Sequence, residues 1–172
     1  GGILALYGGS DYLTNQVNSA TSAIAQAGST FKHFALVSAL EKGDTLANGY
    51  NSPSPMTIEG NEYGNYGGVS YGWINLVDAT ANSVNTAYVQ LNRDIGPVAV
   101  RAGYPSDTAG LDDTVQNVLG SASPHTIDIA TAYTTFAAQG SRHTAHIVAS
   151  VKNPEGALAY SGPTEGTKVF DE

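Results

Sequence analysis

A serine and a lysine three residues apart, Ser29 and Lys32, are the first pair in this sequence whose types and spacing could carry out chemistry. On a helix, residues three apart lie on the same side, so the two side chains would point together. A serine hydroxyl attacks a carbonyl only when a base takes its proton, and a lysine amine becomes such a base when burial lowers its pKa. The pair therefore predicts nucleophilic acyl transfer by Ser29, with Lys32 as general base.

The alternative for this pair is a serine that caps a helix, followed by an ordinary surface lysine. Of the four lysines in the chain, only Lys32 has a serine three residues before it. It also lies between Phe31 and Phe34, which are unusual neighbours for a surface lysine. The context therefore favours the catalytic interpretation.

A second pair, Ser83 and Asn85, lies at a predicted break between two helices. The hydroxyl could relay a proton to a leaving amine, and the carboxamide could hold both a substrate carbonyl and the lysine. The alternative is a pair of polar residues that cap a helix. This is the only Ser-x-Asn in the chain.

The elements that must position these residues follow from the apolar pattern. The stretch 29–42 predicts a buried helix with Ser29 at its start, ended by Gly43. The stretch 73–95 predicts two helices with a break near 82–85, and 49–72 predicts an irregular excursion with short strands. The other predicted elements are a buried strand at 3–7, a helix over 124–140 capped by Thr126, and a hairpin with strands at 146–151 and 157–160.

Composition narrows the class of protein. The 172 residues correspond to one domain, and a net charge of −8 argues against binding to nucleic acid or to an anionic membrane surface. The absence of cysteine excludes a thiolate nucleophile, a zinc–thiolate site and a disulfide. His143 and His146 lack a third ligand at a fitting spacing, so the sequence predicts no metal site.

The two motifs, in this order along the chain, resemble those of a known family. Gly-Ser-Thr-Phe-Lys at 28–32 and Ser-Val-Asn-Thr at 83–86 are similar to motifs of the penicillin-binding proteins. More narrowly, the chain resembles the transpeptidase domain of a class A, bifunctional peptidoglycan synthase. Other similar stretches are residues 4–12, 18–21, 65–68, 79–87, 119–120 and 129–137, so the likeness spans essentially the whole chain.

The resemblance implies an α/β (α+β) serine transferase fold of the penicillin-binding and β-lactamase-like type, an antiparallel sheet flanked by helices. It implies a D,D-transpeptidase at the extracytoplasmic face of the bacterial cell membrane, held by an anchor outside this chain, with no metal or organic cofactor. Ser29 would attack a D-Ala-D-Ala stem peptide or a β-lactam, with Lys32 as the base. Ser83 would pass a proton to the leaving nitrogen, and Asn85 would bind the amide of the acyl side chain.

The chain departs from the family at its third motif, Lys-Thr-Gly or Lys-Ser-Gly, which does not occur in these 172 residues. The resemblance therefore implies that residues 1–172 are a partial transpeptidase domain, mainly its helical part and first strand, and poorly folded or inactive alone. A complementary C-terminal segment carrying the Lys-Thr-Gly strand is the expected partner. The alternatives are a β-lactam-binding sensor or complementation fragment without turnover, a D,D-carboxypeptidase or β-lactamase, and a globular domain with two coincidental motifs.

Overall fold

The computed structural model of the protein describes residues 1–95 and 99–171, which fall into two compact units. The first unit comprises Gly1–Ala25, Val100–Pro105 and the described residues from Pro124 onward. The second comprises the described residues of Gln26–Ala99 together with Ser106–Ser123. No helix in the described ranges combines the length and the apolar character needed to cross a bilayer.

The second unit contains all four predicted site residues. Its elements are a 3₁₀ turn (Gly28–Phe31), helix α1 (Lys32–Glu41), strands β1 (Gly49–Asn51), β2 (Met56–Ile58), β3 (Asn61–Tyr63) and β4 (Trp73–Asn75), helices α2 (Leu76–Ala81) and α3 (Asn85–Ile95), and a second 3₁₀ turn (Val115–Leu119). Strand β1 pairs with β4 and β2 with β3, both antiparallel. A short helix α4 (Ala99–Ala102) follows α3 in the chain.

The core of this unit forms where α1 and α3 pack together and against the turn at 115–119. The fully buried side chains include Phe34, Tyr88, Leu91 and Val118. The prediction of a buried helix over 29–42 is confirmed, although its first turn is 3₁₀ rather than α. The predicted break between two helices is also confirmed, with β4 preceding the first of them.

The first unit contains helix α5 (Thr126–Ala137) and strands β5 (Ser141–Arg142), β6 (Ser150–Lys152), β7 (Leu158–Ser161) and β8 (Thr167–Lys168). Strands β6 and β7 form the predicted hairpin, and β5 pairs with β8. The prediction that Thr126 caps the helix is wrong, because His125 is the N-cap residue in a capping box with Asp128. Asp128 Oδ2 accepts from the backbone N–H of His125 at 3.0 Å and lies 2.9 Å from the His125 ring nitrogen Nδ1.

The prediction of a buried strand at 3–7 is also wrong. None of residues 3–7 lies in a strand; the preceding Gly2 forms an isolated parallel bridge with His146, and the side chain of Leu4 is 100% exposed. An extended segment becomes a stable strand only when a ladder of backbone hydrogen bonds and a packed face accompany it. Within residues 1–95 and 99–171, this segment has one backbone neighbour, His146, and its side chains have little apolar cover.

Candidate active site

The turn that carries Ser29 is held in place by backbone contacts with residues 120–122. Gly28 adopts a left-handed conformation (φ +56°), which glycine reaches without steric cost. Its N–H donates to the carbonyl of Gly120 at 3.2 Å, and the N–H of Ala27 donates to the carbonyl of Ala122 at 2.8 Å. A Cβ at Gly120 would overlap the backbone of Gly28, so only glycine permits this approach.

Ser29 lies within the 3₁₀ turn, and Lys32 is the first residue of α1. A 3₁₀ helix has three residues per turn, so the side chains of residues i and i+3 lie directly above one another. The two side chains therefore leave the same side of the turn. Ser29 is exposed, as a nucleophile that meets a substrate must be, whereas Lys32 is only 2% exposed.

The ammonium group of Lys32 is surrounded by three oxygens from the second motif. Lys32 Nζ lies 2.6 Å from the backbone oxygen of Ser83, 2.9 Å from Ser83 Oγ and 2.7 Å from Asn85 Oδ1. An ammonium group has three N–H donors, and these oxygens can accept all three. Burial lowers the pKa of Lys32 from 10.5 to about 8, so far more molecules carry the neutral amine near neutral pH than for an exposed lysine.

Deprotonation changes the hydrogen bonding of this group. A neutral amine has two N–H donors and one lone pair, so it can serve the two carbonyl-type oxygens of Ser83 and Asn85 while its lone pair faces a hydroxyl. That hydroxyl is Ser83 Oγ–H or, once substrate brings it close, Ser29 Oγ–H. In the structure, Lys32 is hydrogen-bonded to one of the two hydroxyls that the predicted chemistry needs, Ser83 Oγ.

Ser83 lies where a helix ends and its backbone is left-handed, with φ +52°. The N–H of Val84 donates to the carbonyl of Ala79 at 2.9 Å and the N–H of Ser83 to the carbonyl of Thr80 at 3.1 Å, the hydrogen bonds of a Schellman motif. Helix α1 ends in the same motif, with Gly43 (φ +97°) at the left-handed position. A serine in this left-handed conformation costs about 1–2 kcal/mol of stability relative to a residue with a relaxed backbone. The conformation brings both the carbonyl and the hydroxyl of Ser83 within hydrogen-bond distance of Lys32 Nζ.

Asn85 joins Lys32 to another segment of the chain. Its Oδ1 accepts from Lys32, and its Nδ2 donates to the backbone oxygen of Gly64 at 2.8 Å, which fixes the orientation of the amide. On another side of Lys32 Nζ lies the ring of the fully buried Tyr88, with its centroid 5.7 Å away. The Tyr88 hydroxyl is paired with Thr80 Oγ1 at 2.5 Å, so this ring is fixed by a hydrogen bond as well as by packing.

The structure thus brings Lys32, Ser83 and Asn85 into direct contact. Ser29 is on the same turn as Lys32, but its hydroxyl forms no hydrogen bond within residues 1–95 and 99–171. Hydrogen bonds of catalytic groups are often long in a free enzyme and shorten when substrate binds. Sequence reasoning did not find Gly64 and Tyr88, because a backbone carbonyl and a core aromatic leave no sequence signal of such a role.

Comparison with known proteins gives a consistent result. The family model of the penicillin binding protein transpeptidase domain matches residues 1–171. Penicillin-binding protein 1A of Mycolicibacterium smegmatis is 34% identical over 96% of this chain and 23% of its own length. Penicillin-binding protein 1A of Mycobacterium tuberculosis is 35% identical over 95% of this chain and 22% of its own length. The chain therefore spans less than a quarter of these relatives.

A solved structure supports the same assignment. The penicillin-binding protein PonA1 from Mycobacterium tuberculosis, in complex with penicillin V, has a similar fold with a TM-score of 0.83 and 33% sequence identity. The similarity covers 96% of this chain and 47% of that one.

Proposed function

Because this chain belongs to the penicillin-binding protein transpeptidase family and has its fold, we propose that it forms the nucleophile-bearing part of a serine D,D-transpeptidase. Peptidoglycan stem peptides ending in D-Ala-D-Ala, and β-lactams in their place, would acylate Ser29. The observation that carries this proposal is the buried Lys32, whose Nζ contacts Ser83 and Asn85. A surface lysine after a helix cap would have neither the burial nor the partners.

The chemistry begins with the neutral amine of Lys32. It takes the proton of Ser29 Oγ as that oxygen attacks the carbonyl carbon of the penultimate D-Ala or of the β-lactam ring. The N–H of Ser29 donates to the oxyanion that develops on the carbonyl oxygen. Ser83 Oγ gives its proton to the departing nitrogen and recovers one from the Lys32 ammonium, 2.9 Å away. The products are an acyl-serine ester and free D-Ala, or an opened lactam ring that stays attached.

An amine from a neighbouring stem peptide then attacks the ester, forms a new amide and releases Ser29. Lys32, neutral again, takes the proton of that amine and returns it to Ser29 Oγ as the ester bond breaks. The side chain of Asn85 contributes one acceptor oxygen and one donor nitrogen to the site. With these atoms it would hold the amide of the acyl group. This step would occur at the extracytoplasmic face of the cell membrane, where stem peptides are joined.

A complementary segment with a Lys-Thr-Gly strand is part of this proposal. It would bind the substrate carboxylate and supply the second oxyanion donor, and loss of one such donor costs about 10²–10³ in rate. Apolar side chains of the first unit support it. Leu4, Ile147 and Leu158 are 100%, 79% and 61% exposed, so they offer apolar surface for a further segment to cover.

The proposal is tested by intact-protein mass spectrometry after exposure to penicillin. We expect a gain of one drug mass when the chain is combined with the Lys-Thr-Gly segment, and little or none without it. Absence of a gain with the segment bound would contradict the proposal.

Addition of a D-amino acid then separates the possible activities. With a stem peptide as the acyl donor, a transpeptidase transfers the acyl group to the amine of the D-amino acid, whereas a carboxypeptidase transfers it to water. With penicillin as the acyl donor, a β-lactamase transfers the acyl group to water, whereas a sensor retains the drug.

The acylation rate should depend on pH through Lys32. Its pKa is lowered to about 8, and only the neutral amine can accept a proton. The second-order rate constant for penicillin should therefore rise about tenfold per pH unit below that value and level off above it. The measurement is the rate of adduct formation between pH 6 and pH 10. A rate that falls as pH rises through 8 would contradict the role of Lys32 as base.

A further inference from the structure

Helix α3, which begins with Asn85, lacks a capping side chain of its own. The carbonyl of Val84 accepts the first helical hydrogen bond, from the N–H of Tyr88 at 3.2 Å, so Val84 is the N-cap residue. Valine has no side-chain acceptor, and the first N–H groups of a helix have no partners within the helix. Some other group must therefore satisfy them at this buried site.

Asn65, 21 residues earlier in the chain, supplies the missing acceptor. Its Oδ1 accepts from the backbone N–H of Thr86 at 3.0 Å and from Thr86 Oγ1 at 3.2 Å. Both residues are buried, at 7% and 0% exposure. A side chain from a distant segment thus makes the hydrogen bond that a local serine, asparagine or aspartate usually makes.

Asn65 is itself firmly held. Its Nδ2 donates to the carbonyl of Val69 at 2.9 Å, and its backbone N–H donates to Ser54 Oγ at 2.9 Å. The preceding residue, Gly64, accepts from Asn85 Nδ2. Gly64 and Asn65 therefore hold the side chain of Asn85 and the backbone of Thr86 at the start of α3.

We propose that Asn65 is a positioning residue for acyl transfer, which acts by capping α3 and thereby fixing Ser83 and Asn85 against Lys32. This inference rests on the function proposed above. Ser83 and Asn85 flank Val84, so any shift in the first turn of α3 moves both. A displacement of about 1 Å in reacting groups can cost on the order of 10²-fold in rate.

The chain contains a matched control. Asn75 is the N-cap of α2, and its Oδ1 accepts from the N–H of Asp78 at 2.8 Å, entirely within its own turn. Asn65→Ala and Asn75→Ala each remove one asparagine cap, and each should lower stability. Only Asn65→Ala removes a cap from the helix that carries Asn85.

The experiment measures the limiting acylation rate at saturating penicillin, per folded site, in the protein combined with the Lys-Thr-Gly segment. We expect Asn65→Ala to lose about 10–10²-fold and Asn75→Ala to keep the wild-type rate. Asn65→Asp retains the acceptor, so it should recover part of the rate. Equal limiting rates for Asn65→Ala and wild type would overturn the inference, as would an equal loss in Asn75→Ala.

A second measurement does not depend on the variants folding or on acylation. Amide hydrogen exchange in the wild-type protein should show Thr86 N–H strongly protected, because it is capped. Exchange as fast as in an exposed loop amide would overturn the inference. If wild type is not acylated while Thr86 is protected, the proposed function fails and the cap remains.

Discussion

Ser29→Ala should abolish the covalent penicillin adduct and leave the protein folded. Removing the nucleophile of a comparable acyl-transfer enzyme costs on the order of 10⁶-fold in turnover, so no mass gain should be detectable on the wild-type time scale. The Ser29 side chain is exposed and makes no hydrogen bond within the described ranges, so the free energy of unfolding should change by less than about 0.5 kcal/mol. Mass spectrometry and urea unfolding measure the two quantities.

The control for this variant is the neighbouring Thr30→Ala. Thr30 is exposed on the same turn, and its Oγ1 donates to the carbonyl of Ala27 at 2.7 Å. Its loss should lower stability modestly and leave acylation intact. If Ser29→Ala still gains one drug mass, another residue is the nucleophile and the assignment of Ser29 is wrong.

Lys32→Met should lower the acylation rate by about 10²–10⁴-fold, the usual contribution of a general base. Methionine has a similar unbranched stem but cannot take the proton of Ser29. It also leaves the oxygens of Ser83 and Asn85 without the donor they have in the wild-type protein. Each unsatisfied buried acceptor lowers the free energy of unfolding by about 1–3 kcal/mol. Removal of the buried amine offsets part of this loss. The rate per folded site and urea unfolding separate the two effects.

Two further lysine variants distinguish basicity from charge. Lys32→Arg keeps a positive charge but remains protonated throughout the accessible pH range, so it should acylate as poorly as Lys32→Met. Lys42→Met, at the exposed end of the same helix, should keep the wild-type rate. An arginine variant with near-wild-type activity would mean that Lys32 contributes charge and not proton transfer.

The candidate site was predictable where sequence spacing determines geometry. The three-residue step from Ser29 to Lys32 places both on one side of a helical turn, whatever else the chain does. The contact between Lys32 and Ser83 spans 51 residues, and no local rule predicts it. From the residues alone, the prediction was that the Asn85 carboxamide could hold the lysine, and the resemblance to the family implied that Ser83 acts in the same site.

Other features depend on tertiary context that local patterns do not contain. The apolar run at 3–7, bounded by pairs of glycines, suggests a strand, but pairing depends on which segment lies alongside. The cap of α3 comes from Asn65, so a search of the residues next to the helix start finds only valine. The choice of His125 over Thr126 as a cap depends on the reach of Asp128 back to the His125 N–H.

The left-handed serine has a consequence for how this sequence can change. Glycine and asparagine suit the backbone at position 83 better than serine, yet both lack the hydroxyl. In a mutant library screened only for folded protein, Ser83→Gly should therefore be enriched. The same library screened for penicillin labelling should retain serine. Selection for stability and selection for penicillin labelling would then favour different residues at position 83. Stabilising substitutions elsewhere in the chain would have to offset the stability that serine costs there.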